Sequence, residues 1–211
     1  MLTLELRLVL EAPLHVGPIT NSPDALHSFT RDVRGRPCIP ATTLKGLHRA
    51  MTEQVASALG LPLCNPPVAT QMCHPITGIP ACSVCRLFGS PWLASRLCYW
   101  NLIADKTPIV ENHIQASQSR RRRVQLTRHT AQYEVLPAET VFTGQVDHQI
   151  TDVALLGLAV AGLRSITTIG GGGRFGYGLC RIEVKATDAS GHPANDADLA
   201  AALRQLVRAK P

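Results

Sequence analysis

The chain has 211 residues, 45% hydrophobic and 17% charged, with a formal net charge of +6. That length and composition suit one globular domain with insertions and argue against wholesale disorder. The basic balance points to a polyanionic partner, nucleic acid before membrane, while aromatics at 4% leave little for a base-stacking platform. No basic region followed by an apolar block opens the chain, and the run VALLGLAVAGL is far shorter than the ~20 residues of a membrane helix. A cytoplasmic protein with no membrane partner is expected.

MLTLELRLVLEAPLHVG alternates, with Leu2, Leu4, Leu6, Leu8 and Leu10 on one side, which predicts a half-buried strand. Residues 18–37 are turn chemistry. IPATTLKGLHRAMTEQVASALG predicts a helix capped by Thr42 or Thr43 and ended by Gly60. Its apolar stripe is Leu44, Leu47, Met51, Val55 and Leu59. Residues 61–95, rich in Pro and Cys, read as an inserted loop. RLCYWNLIA predicts a second strand, residues 105–137 are polar and basic without a core pattern, and VFTGQVDHQI predicts a third strand.

ITDVALLGLAVAGLRSI predicts a second helix, with Thr151 as cap and Arg164 in its last turn. YGLCRIEVKA predicts the fourth strand, 188–195 a turn, and DADLAAALRQLVRAK a terminal helix burying Leu199, Leu203, Leu206 and Val207. The order β-α-β-β-α-β is that of an α+β, ferredoxin-like or RRM-like domain. It spans residues 1–187 with insertions at 61–95 and 105–137, and 188–211 form a C-terminal turn and helix. The fold hosts many functions and assigns none by itself.

Two segments carry chemistry. Cys64, Cys73, His74, Cys82 and Cys85 fall in one loop, and Cys-x-x-Cys lets two thiolates reach one ion. Four of these five would make a structural Zn²⁺ site, with Cys73 and His74 as alternatives for one position. A loop so poor in apolar residues needs such a clip to fold. Cys38, Cys98 and Cys180 fall beside or inside core elements and read as packing residues.

The second segment is IGGGGRFGYG. A dinucleotide fingerprint needs strand, glycines, helix; here the order is helix, glycines, strand, and no Gly-Lys-Ser/Thr follows. Both nucleotide readings fail. Gly170, Gly171, Gly172 and Gly173 then make either a tight turn or a phosphate-binding nest, with Arg174 as the accompanying charge.

IGGGGRFGYGLCRIEV resembles the glycine-rich signature of the repeat-associated mysterious protein superfamily, the RNA-binding subunits of CRISPR effector complexes. IPATTLKGLHRA is similar to that family's Ile-Pro-Gly-Ser-Ser-Leu-Lys-Gly-x-x-Arg segment, and CSVCRLFGSP to the Cys-x-x-Cys-Arg-Leu-Phe-Gly of type III backbone subunits. RVQLTRHTAQYEVLPAETVF is a weaker match to the residues before a Glu-x-Val-Pro-Ala-Gly-x-x-Phe strand.

The resemblance implies a backbone subunit of a type III complex in antiviral defence. Its partners would be CRISPR RNA, complementary target RNA, and other subunits of the complex, copies of itself or paralogues among them. It implies RNA-backbone contact by Lys45 and Arg49, four apart on one helix face, and a thumb between the second and third strands. That thumb would carry Arg120, Arg121, Arg122 and Arg123 for phosphate, and Ile114, Val124 or Leu126 to part the bases.

Some such subunits are endoribonucleases that cut target RNA with an aspartate and Mg²⁺. Asp32 matches the family's later Arg-Asp pair, while Asp24 stands about two residues from the catalytic register near Leu26 or His27, a shift that a loop absorbs. Asp24 reads either as that aspartate or as part of a Ser22-Pro23-Asp24 turn, and His27 offers metal-free acid/base chemistry. The alternatives are a stand-alone CRISPR RNA processing endoribonuclease and an unrelated zinc-containing RNA-binding module.

Overall fold

The leucine alternation forms an interior strand of a six-stranded sheet in the computed structural model, which describes residues 2–17, 26–73, 78–118 and 125–208. The elements in chain order are β1 (Leu2–Leu10), β2 (Leu26–His27), β3 (Cys38–Ile39), α1 (Ala41–Ala58), α2 (Ser83–Phe88), β4 (Leu97–Tyr99) and β5 (Leu102–Ala104). They continue with β6 (Glu111–Gln118), β7 (Gln125–Val135), β8 (Val141–His148), α3 (Val153–Arg164), β9 (Cys180–Ala186) and α4 (Asp196–Arg208).

β1 lies antiparallel between β8 and β9, with Leu6 opposite both Gly144 and Val184. Its inward leucines, Leu4, Leu6, Leu8 and Leu10, are buried. The sheet order is β3-β5-β8-β1-β9, with β4 also on β8. Taking β4 and β5 as one interrupted strand, the core order is second-third-first-fourth, all antiparallel, the ferredoxin-like arrangement the sequence predicts.

The expected second strand is thus two short ones, broken at Trp100-Asn101. Both break residues find other partners. The Trp100 indole donates to the Asp147 carboxylate at 2.7 Å. The Asn101 side chain accepts from the Ala41 amide at 2.8 Å, so it serves the orphan donors at the start of α1. Thr42 and Thr43 do not cap this helix: Pro40 occupies the cap position and offers no side-chain acceptor. Asp152, and not Thr151, caps α3, accepting from Ala154 and Leu155 at 3.0 and 3.3 Å.

The expected apolar stripe on α1 is only partly buried. The deepest line is Leu44, His48, Thr52 and Ala56. α3 crosses there, and Thr52 fills the space that a side chain at Gly162 would need. Thr52 disposes of its hydroxyl locally by donating to the His48 carbonyl at 2.7 Å. Gly162→Ala is expected to lower stability by about 1–3 kcal/mol, read from the urea midpoint, because two packed helices must separate. α4 rests on α3, with the Leu199 carbonyl 2.8 Å from where a Gly157 Cβ would stand.

Residues 105–137 hold two strands where no core pattern was visible. β6 and β7 form an antiparallel hairpin, Glu111 opposite Val135, with β2 parallel to β7 as a third strand. Among the described side chains, Val135 and Leu136 anchor its base in the core. Among the described residues, no helix is long and apolar enough to cross a membrane.

Candidate nucleic-acid interface and metal centre

The glycine loop begins where α3 ends. Ile166 and Ile169 are buried and fix its entry. The Ile169 amide donates to the Gly178 carbonyl at 2.9 Å, the Gly178 amide to Pro13 at 2.8 Å, and the Gly171 amide to His15 at 3.0 Å. The loop is therefore laced to the chain leaving β1.

Its glycines have different physical reasons. Gly170 and Gly178 have φ of +82° and +76°, and a Cβ at either would collide with backbone carbonyls, those of His15 and Ile169. Gly172 is also left-handed, at φ +79°, with the Tyr177 ring against it. Gly171 and Gly173 have neither constraint: a Cβ there meets nothing within 4 Å. Gly178→Ala is expected to destabilise by about 1–3 kcal/mol through backbone strain. Gly173→Ala is expected to stay within ~0.5 kcal/mol in the same thermal or urea melts.

The loop forms one wall of a groove of about 750 Å³. Thr43, Gly46, Leu47 and Ala50 of α1 form the opposite wall, and His15, Tyr133, Phe175 and Tyr177 complete it. Among the described residues, the amides of Gly172 and Gly173 meet no acceptor. Successive free amides around a left-handed residue make a cradle for an anion. Tyr177 is held by His113, whose Nδ1 lies 2.7 Å from its hydroxyl, and the far ring nitrogen of His113 lies 3.1 Å from Glu111. This chain of contacts ties β6 to the glycine loop.

Gly170, Gly171 and Gly172 line the groove; Gly173 and Arg174 follow in the same loop, and the Arg174 side chain lies outside the described part. Lys45 and Arg49 are not brought to the groove: their spacing sets them on a different side of α1 from Thr43, Gly46, Leu47 and Ala50. Arg49 is engaged with Glu53 at 3.0 Å and with the Gly89 carbonyl at 3.4 Å. Lys45 has no ion pair among the described residues. His27 lies on β2, buried and stacked on Tyr133 with ring centroids 4.7 Å apart.

Asp24, His74 and Arg120, Arg121, Arg122 and Arg123 fall outside the described residues. Ile114 is exposed on β6. Asp32 is a turn residue: its carboxylate accepts from the amides of Arg34 and Arg36 at 2.9 and 2.8 Å and pairs with the Arg36 guanidinium. Three residues of the groove, His15, Tyr133 and Tyr177, were not singled out from the sequence. His15 carried a faint signal, a lone imidazole closing the alternation of β1.

The cysteines converge. The Sγ atoms of Cys64, Cys73, Cys82 and Cys85 all lie within 4.8 Å of one another. Cys64 is 3.5 Å from Cys85 and 3.9 Å from Cys82. Four sulfurs about 2.3 Å from one tetrahedral zinc would stand ~3.8 Å apart, so the cluster fits such an ion. The Cys82 amide points at Cys73 Sγ at 3.1 Å, and the Cys85 amide at Cys82 Sγ at 3.5 Å, as thiolate acceptors require. Cys73 thus completes a set of four converging thiols with Cys64, Cys82 and Cys85. Of the remaining cysteines, Cys38 and Cys180 are buried, but Cys98 is exposed and does not pack in the core.

The antiparallel ferredoxin-like sheet with helices packed on it defines a protein of the α+β class, basic overall and carrying a glycine-walled groove. The chain belongs to the RAMP superfamily, whose family model matches residues 7–181. That membership carries a CRISPR-associated RNA-binding role. A search of the curated proteins returned no match.

Proposed function

We propose that this chain is a CRISPR RNA-binding backbone subunit of a type III effector complex, acting with target RNA and neighbouring subunits. The observation that carries the RNA contact is the groove between α1 and the glycine loop, where main chain and small side chains face the solvent. Such a wall reads a sugar–phosphate strand and leaves the bases free to pair. The zinc insertion spans 61–95, with structural Zn²⁺ on Cys64, Cys73, Cys82 and Cys85. The β6–β7 hairpin supports a thumb at 105–137, with Arg120–Arg123 in sequence between its strands. The chemistry of a cutting subunit would rest on Asp24 and Mg²⁺.

The test is reconstitution with guide RNA, followed by complementary RNA and magnesium. Regularly spaced cuts that vanish in Asp24→Ala establish the endoribonuclease; cuts that survive it remove Asp24 from that role. Tight guide binding without cuts leaves a structural subunit. Cleavage of guide precursor by the lone chain marks a processing enzyme instead. A chain that purifies free of RNA and binds none overturns the proposal.

A further inference from the structure

The fold does not require glycine at position 46. Gly46 lies inside α1, is exposed, has no left-handed φ, and a Cβ on it would meet nothing within 4 Å. An interior helix glycine weakens the helix relative to alanine. Gly46 nonetheless stands in the groove wall opposite Gly171, which is equally unconstrained.

The same groove contains an unpaired polar atom. His15 is 5% exposed, and its Nε2 is closed to water and has no hydrogen-bond partner among the described residues. Its Nδ1 lies 2.8 Å from the Glu134 carbonyl oxygen. A carbonyl only accepts, so Nδ1 carries the proton, and Nε2 of the neutral ring presents a lone pair. The ring stands edge-on to Tyr133, 5.1 Å between centroids, and both residues line the groove. The His15 carbonyl holds the Gly171 amide, so this lone pair and the open glycine belong to one wall.

We propose that the groove selects RNA over DNA, with Gly46 and Gly171 admitting the strand's backbone to close contact and His15 Nε2 accepting from a ribose 2′-hydroxyl. This rests on the RNA-binding reading above and adds the sugar contact. Phosphate oxygens only accept, so along a sugar–phosphate backbone the 2′-hydroxyl is the donor, and DNA lacks it. Water does not reach Nε2 in the free protein, so the proposed contact requires the ring to be uncovered as the strand settles against Gly171.

The purified full chain is titrated with a fluorescein-labelled single-stranded RNA and with the same sequence in 2′-fluoro form, which keeps the sugar shape and removes the donor. The 2′-fluoro strand is expected to bind about 3–10-fold more weakly, the worth of one hydrogen bond. His15→Phe brings RNA to the 2′-fluoro level and leaves the 2′-fluoro affinity unchanged. Gly46→Ala raises the melting temperature by roughly 2 °C and weakens both strands at least about tenfold. Equal affinity of the unaltered protein for both strands overturns the His15 contact, and needs no variant to fold. Gly46→Ala binding as well as the unaltered chain overturns the glycine contact. Either result leaves RNA binding itself standing, whereas an unaltered chain that binds neither strand overturns both readings.

Discussion

Stripping the metal from the four cysteines is expected to release residues 61–95 from the domain. The insertion has little else to hold it. Leu61, Val84, Leu87 and Phe88 are its buried apolar anchors outside the cysteines, and α2 is only six residues long. The start of α2 is itself built on the cluster, since Cys82 Sγ accepts from the Cys85 amide. Structural zinc in small fingers contributes an apparent ~10–16 kcal/mol at neutral pH, comparable to the whole net stability of a domain.

The loss would not stay local. Phe88 packs edge-on against His48, with ring centroids 4.8 Å apart. Arg86 pairs with Asp152, the cap of α3, at 3.2 Å. The Gly89 carbonyl accepts from Arg49 on α1. Chelation, or Cys82→Ser, should therefore loosen both core helices at one end. A destabilisation of about 4 kcal/mol corresponds to a fall in melting temperature on the order of 10 °C for a chain of this size. Limited proteolysis should cut first within 61–95. One zinc per chain by elemental analysis is expected. A chelated protein with an unchanged melting curve and cleavage pattern would mean that the thiols hold no structural ion.

Much of this was legible before any coordinates. The leucines of β1 and the run of α3 announce themselves because a strand buried on one face alternates strictly and a helix buried on most sides is a continuous apolar run. The order of elements then leaves few sheet topologies. The cysteine cluster was legible too, since spacing within one loop already limits which thiols can meet. What stayed hidden were contacts between residues distant in sequence. Asn101 caps α1 from sixty residues away, and no local rule for caps reaches that far. The sequence of 105–137 is polar and basic, so its period carries no core signal. The glycines were visible as a run, but only the backbone separates Gly170 and Gly178, which the fold demands, from Gly171, which it does not.

His48 shows the same limit, and its burial is expected to weaken the domain in acid. It stands outside the apolar stripe expected of α1; in the fold it is the fully buried hub of α1, α3 and β4. Its Nε2 lies 2.8 Å from the Ala159 carbonyl oxygen and must donate, so Nδ1 accepts from the Tyr99 hydroxyl at 2.7 Å. Phe88 and Tyr99 cover the ring. Every partner suits the neutral imidazole, and none is a carboxylate.

Burial lowers its pKa from 6.5 to about 4, against the partly opposing hydrogen bond to Ala159. The unfolded chain takes up this proton near pH 6.5, while the folded chain resists until about pH 4. Below the unfolded pKa the unfolded state binds more protons, so stability falls as pH drops through this window. The shift corresponds to about 3 kcal/mol. Burial depresses His148 as well, and its loss runs in the same direction. Urea melts at pH 7 and pH 4.5 should show the fall. His48→Gln, which can still donate to Ala159 and accept from Tyr99, should remove most of it. If the glutamine variant loses as much stability on acidification as the unaltered protein, the acid sensitivity belongs to other groups. If it is far less stable at pH 7 but flat below, the hub needs the imidazole's shape while its titration is as described.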